Sequence, residues 1–189
     1  MTSILKADTI QDTDGNNIIN ESSNTITIGA SGDTTNIIGT LQNNGAAVGG
    51  DNTPAFSATL SGNQSVSDST STVIVFNSEH YDTDSAYDVS NGRFTVPSGE
   101  GGKYVFFVSL RFNSATSNRN AVDIKINNSS NTQNVAFEGT GNQYSSIGGA
   151  VSMNLSAGDY VEAHYYQTSG GAIEVRTDSH FSGFKLIGV

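Results

Sequence analysis

A chain of 189 residues and 19.7 kDa has room for one ordinary domain and an appendage, which excludes a large multidomain enzyme. Charged residues make up only 14%, hydrophobic residues 35%, and glycines number 21, the profile of a β-rich chain with many turns. With 8 Lys+Arg against 18 Asp+Glu the formal net charge is -10, which disfavours nucleic acid and anionic membranes as partners, while zero Cys removes disulfides, thiolate nucleophiles and Cys-ligated zinc.

The opening Met1 to Asp8 lacks the apolar run of a secretory signal, so no standard export route is expected. Residues 1–50 carry aliphatic residues in small groups between polar turns: Ile18 and Ile19, then Ile26 and Ile28 in an alternating Thr-Ile-Thr-Ile, then Ile37 and Ile38. Such groups predict short strands. Asp14 to Ile19 returns in weak form as Asp33 to Ile38. The 11 Ile, Leu and Val residues of this segment are too few to offset the entropy of ordering it alone. It must find apolar surface on other chains, as an assembly segment, or remain a loose tail.

All 9 Phe and 7 Tyr lie from Phe56 onward, so a boundary is expected at Gly49 to Pro54, with residues 51–55 as a linker. Beyond it, alternation predicts strands at 55–60, 72–77, 92–97, 103–113, 120–127, 132–138, 145–155, 159–167, 172–177 and 180–188. Turn residues separate them at Asn91-Gly92, 99–102, Gly158-Asp159 and Gly170-Gly171. This is the rhythm of an all-β antiparallel sandwich. In the strand 103–113, Tyr104, Phe106, Val108, Leu110 and Phe112 share one face, the expected core.

Phe76, Asp82, Tyr87 and Phe94, in the spacing Phe-x5-Asp-x4-Tyr-x6-Phe, lead into Gly102-Lys103-Tyr104-Val105-Phe106. Further on come Leu155 to Val161 with Gly158 and Asp159, and the ending Phe181-Ser182-Gly183-Phe184-Lys185-Leu186. In these four ordered pieces residues 56–189 resemble the globular head of complement component one q, the tumour-necrosis-factor-like jelly roll. Two extra residues before Gly102, and Val108 in place of a usual aromatic, depart from that pattern. The resemblance implies a ten-stranded jelly-roll sandwich that assembles as a homotrimer, binds other macromolecules and is not an enzyme. Ser3 to Asp12, Gly15 to Asn20 and Thr25 to Asp33 resemble the opening of fibre and other virion proteins of marine tailed bacteriophages rather than a collagen stalk, since no Gly-X-Y run exists.

His80, His164 and His180 have no second His at metal-ligand spacing, and no Gly-x-Ser-x-Gly elbow occurs, so no catalytic or zinc site is expected. Asp82, Asp84 and Asp88 offer carboxylates either to calcium or to solvent, without the Gly and Glu of an EF-hand loop. Tyr144, Tyr165 and Tyr166 suit either a ligand platform or core and interface packing. The expected function is a bacteriophage structural protein on the virion exterior, on tail or capsid. It would be a homotrimeric short fibre or spike, with the N-terminal segment on other virion proteins and the head on a host glycan or protein. The alternative is a capsid decoration or tail and baseplate piece that meets no receptor.

Overall fold

The computed structural model describes residues 9–11, 13, 17–22, 25–28, 32, 34–39, 41–43, 46–47, 52–113, 119–129 and 146–186. They belong to two compact units, Met1–Gly49 and Gly50–Val189. In the first, β1 (Thr9–Gln11), β2 (Asn17–Ser22) and β3 (Thr25–Ile28) form an antiparallel meander, and β4 (Gln42–Asn43) pairs with β5 (Ala46–Ala47). Ile19 stands opposite Ile10 on one side and Ile28 on the other, so the register draws a row of three isoleucines across the meander. All three remain exposed, as does Ile26. The expected strand at Ile37 and Ile38 does not form: residues 34–38 are irregular, and Ile38 is 95% exposed. Among the described residues no strand pairs with them, so the aliphatic pair has no ladder to join. The side chain of Ile18 lies outside the described residues.

The second unit runs β6 (Ala55–Thr59), β7 (Gln64–Val66), β8 (Thr72–Val73), β9 (Ser78–Asp82), β10 (Tyr87–Asp88), β11 (Arg93–Thr95), β12 (Gly102–Arg111), β13 (Asn120–Ile126), β14 (Ser146–Leu155), β15 (Tyr160–Gln167), β16 (Ile173–Val175) and β17 (His180–Lys185). Two five-stranded antiparallel sheets result, giving the expected ten-stranded jelly-roll sandwich. One has the order β14-β12-β17-β6-β9; the other is β10-β11-β15-β13 with β8 also on β15, and β16 and β7 form a small separate pair.

The long predicted strands recur with shorter ends, but three differences have local causes. The strand expected over 72–77 stops at Val73, because the Gln64 side chain replaces the ladder: its Nε2 donates to Val73 O at 2.7 Å and its Oε1 accepts from Val75 N at 2.9 Å. Strand β9, Ser-Glu-His-Tyr-Asp, is formed although its sequence lacks an apolar alternation, since among the described residues it is an edge strand with one neighbour, β6. Short β7 and β10 likewise carry too little pattern to be read. The strand expected at 132–138 lies outside the described residues.

Alternation on β12 decides where the core sits. Tyr104, Phe106, Val108 and Leu110 point between the sheets and are almost fully buried, as is Phe112 just beyond the strand. Around them Phe56 stacks on Tyr87 at 4.5 Å and on Phe94 at 5.2 Å and meets Phe181 edge-on at 5.0 Å, while Phe76 lies 5.7 Å from Phe181. These ring pairs tie four strands and the irregular segment at Phe76 into one nucleus. Gly183 sits where two rings cross, and a Cβ there would meet the Phe106 ring at 2.5 Å. Replacing Phe56 by Ala is expected to cost about 3–5 kcal/mol. Ile38→Ala, at a fully exposed site, should cost under about 0.5 kcal/mol; urea unfolding of the two variants checks the contrast.

Candidate functional site

Two carboxylates of the expected signature act on the backbone. Asp82 Oδ2 accepts from Tyr87 N at 2.9 Å and its Oδ1 from Ala86 N at 3.1 Å, closing the turn between β9 and β10. Tyr87 in turn donates its hydroxyl to Phe76 O at 3.0 Å, and burial raises its pKa above the ordinary phenol value. Asp159 does the same work before β15, accepting from Ser156 N at 2.7 Å and Asn127 Nδ2 at 2.8 Å; these bonds hold its carboxyl below the usual range. Asp88 accepts from Ser90 and Asn91 in its own turn, which keeps its pKa low. Asp82, Asp84 and Asp88 are therefore spread over turn hydrogen bonds, and among the described residues no three His, Asp or Glu side chains gather at a metal-binding spacing. Gly102, the first residue of β12, and Gly158, in the turn before β15, adopt positive φ, at 152° and 87°, which few other residues accept.

The three candidate tyrosines separate. Tyr165 is fully buried, stacked on Phe112 at 4.8 Å with its hydroxyl donating to Asn120 Oδ1, so it is a core residue and offers no surface to a ligand. Strand alternation turns Tyr166 the other way, half-buried, with the Arg119 guanidinium 5.5 Å from its ring. Tyr144 lies outside the described residues.

On the outward side of the β15 sheet the structure assembles a charge network with no local sequence signal. Arg93 donates through Nε and Nη2 to Glu162 Oε1, at 3.0 and 2.8 Å, and its guanidinium lies 3.8 Å from the Tyr160 ring centre. Glu162 Oε2 lies 3.4 Å from His164 Nε2, and Lys125 donates to Ser71 Oγ at 3.1 Å. Ser71 Oγ stands 3.5 Å from His164 Nδ1, too long for a firm hydrogen bond and already bonded by a lysine. The arrangement is a surface-strand clamp between β11, β15 and β13.

The outward side of the other sheet is different. Register places Val105, Phe107 and Ser109 of β12 beside Phe184, Ser182 and His180 of β17, and these beside Ala55, Ser57 and Thr59 of β6. Ser152, Ala150 and Gly148 of β14 extend the row on one side and Tyr81 of β9 on the other. Phe107 and Phe184 stack at 6.1 Å on this open surface. On β9, Glu79 and Asp82 pair with Ala58 and Phe56, whose side chains enter the core, so neither carboxylate points this way; at the end of β12, Arg111 on this side holds the Asp178 carboxylate at 3.0 Å. His180 is half-buried here, with His80 near Thr59 beside it.

Two histidines contribute to the acid response. Burial, then the charge of Lys125, lowers the pKa of His164; burial, then His80, lowers that of His180. The unfolded chain therefore binds protons first, and stability present above the ordinary value of about 6.5 is lost as pH falls from there through the lowered values. The urea midpoint should drop between pH 7 and pH 5.5, and the drop should shrink in His164→Gln and in His180→Gln.

Among solved structures, the chain is similar to the globular domain of zebrafish complement 1qA protein, at 20% identity and TM-score 0.51, covering 70% of this chain and 97% of that one. It is similar to murine APRIL at 14% identity and TM-score 0.52, covering 70% and 99%, and to the PRD1 vertex protein P5 at 15% identity and TM-score 0.53, covering 72% and 99%. None of the curated proteins matches it. Residues 55–186 match the C1q domain family, and the chain belongs to that family.

Proposed function

We propose that this protein is a homotrimeric structural protein of a bacteriophage virion, a short fibre or spike whose C1q head adheres to the host surface. The observation that carries the reading is one chain holding both a C1q head and a separate N-terminal unit with Ile19, Ile26, Ile28, Ile37 and Ile38 on its surface. Exposed aliphatic residues in a segment with no aromatic side chains suit burial against other chains. The likeness of the head to a vertex protein supports a place on the particle exterior.

C1q and tumour-necrosis-factor-like domains are non-enzymatic structural or ligand proteins, so the work of this one is binding. Three copies meet through the outward side of the β14-β12-β17-β6-β9 sheet. Each copy brings a charge of -10, and a contact surface where, among the described residues, Asp178 is neutralised by Arg111 and Arg176 lets like-charged chains approach with little exposed negative charge. Adhesion then gains from multivalency, since three heads per trimer and many trimers per particle multiply weak single contacts.

Light scattering on the eluting full-length protein should give a mass near three chains, and a mass of one chain removes the trimer. Phage lacking the gene should assemble but fail to adsorb, and added purified protein should compete with wild-type phage for cells. Particles that fall apart without it point instead to a purely structural piece, a role that the vertex-protein likeness also suits.

A further inference from the structure

The open side of the β14-β12-β17-β6-β9 sheet is not flat. A groove of about 540 Å³ runs over β14 and β12, lined by Phe107, Ser109, Gly148, Gly149, Ala150 and His180. Its floor is bare by necessity: a Cβ on Gly148 would come within 2.1 Å of Val108 O and 2.7 Å of Ser109 Cα. Phe107 leans on Phe184 and forms one wall, leaving the small residues of β14 uncovered. The lining is apolar at its base and offers hydroxyls and an imidazole at its rim, with no carboxylate. A side chain with an apolar ring and an uncharged polar tip fits such a lining.

Among the described residues of the head, the large hydrophobic side chains left exposed are Tyr81, Val89 and Phe107. Phe107 already lines the groove, and Val89 lies in the turn between β10 and β11, off this sheet. Tyr81 is half-exposed, opposite Ser57 on β6, and so projects to the same side as Phe107. It stands at the β9 margin, four strand spacings from the groove at the β14 margin, about 19 Å away.

We infer that Tyr81 of one copy seats in the β14–β12 groove of the next copy. The inference deepens, and rests on, the trimer reading above. A knob and a hole at opposite margins of one sheet make a head-to-tail contact, the kind that closes into a ring rather than a two-fold pair. The seat fixes which margin meets which, and so the rotational sense of assembly. It also places His180 against the neighbour's phenol.

The chain has no cysteine, so an engineered pair reads without background. Full-length Tyr81→Cys/Ala150→Cys is oxidised and separated on a non-reducing denaturing gel. A disulfide needs Cα atoms within about 7 Å, so positions at opposite margins of one sheet cannot bridge within a copy. The expected product contains three covalently linked chains and reverts with reductant, whereas each single variant gives pairs at most. Single chains, or a product that stops at pairs, overturn the seat if wild-type protein has the mass of three chains. A wild-type mass of one chain overturns the trimer reading itself. As a second measurement, Tyr81→Ser should speed subunit exchange between labelled trimers roughly tenfold or more, the scale of losing one buried aromatic anchor. Val89→Ser should leave it unchanged, and equal rates in the two variants overturn the seat.

Discussion

Phe106 and Phe107 are neighbours in sequence and must face opposite ways on β12, and the rest of the head is arranged around that fact. Phe106 is committed to the interior by its contacts with Phe56, Phe94, Tyr104 and Phe181. Phe107 is then committed to the outside, where it stacks on Phe184 in a patch that water covers in an isolated copy. A slip of one residue would relieve the outer aromatic and empty the inner nucleus, so the register is fixed by the larger burial. The exposed pair is the residual cost of that choice. On the proposed reading self-association offsets it, and the pairing of Asp178 with Arg111 and Arg176 on the same side keeps that surface compatible with an acidic chain.

Much of this was legible in the sequence wherever a strand is long and two-sided. The alternating Tyr104, Phe106, Val108, Leu110 and Phe112 gave the core face directly, and Asp82 and Tyr87, which close the turn after β9, stood out only through the likeness to the complement-q head. Edge strand β9 was hidden, because a strand with one neighbour and a solvent side needs little apolar content. The fate of Tyr165 and Tyr166 turned on a register that depends on Val122 and Ala121 across the sheet, so the pair could not be divided by inspection. Arg93 and Glu162 meet from 69 residues apart, and nothing local to either announces the other. The groove was equally invisible: it exists because β14 and β12 run side by side and Gly148 lies close against the Val108–Ser109 backbone.

The N-terminal unit follows a different logic. Its meander aligns Ile10, Ile19 and Ile28 in one row and leaves them all accessible, where a self-sufficient domain would bury them. With no aromatic side chain to supply area, such a row stabilises an assembly more readily than a single copy. Among the described residues, head and segment thus share one feature: each leaves apolar side chains accessible.

The central claim, that the outward side of the β12 sheet is where copies meet, is tested most directly by sedimentation equilibrium of Phe107→Glu beside the wild type, with near-ultraviolet circular dichroism on both. The substituted carboxylate points away from the core and should leave the aromatic signal of the head intact while reducing the mass from three chains to one. A variant that keeps both the native signal and the three-chain mass would place the contact elsewhere and contradict the account.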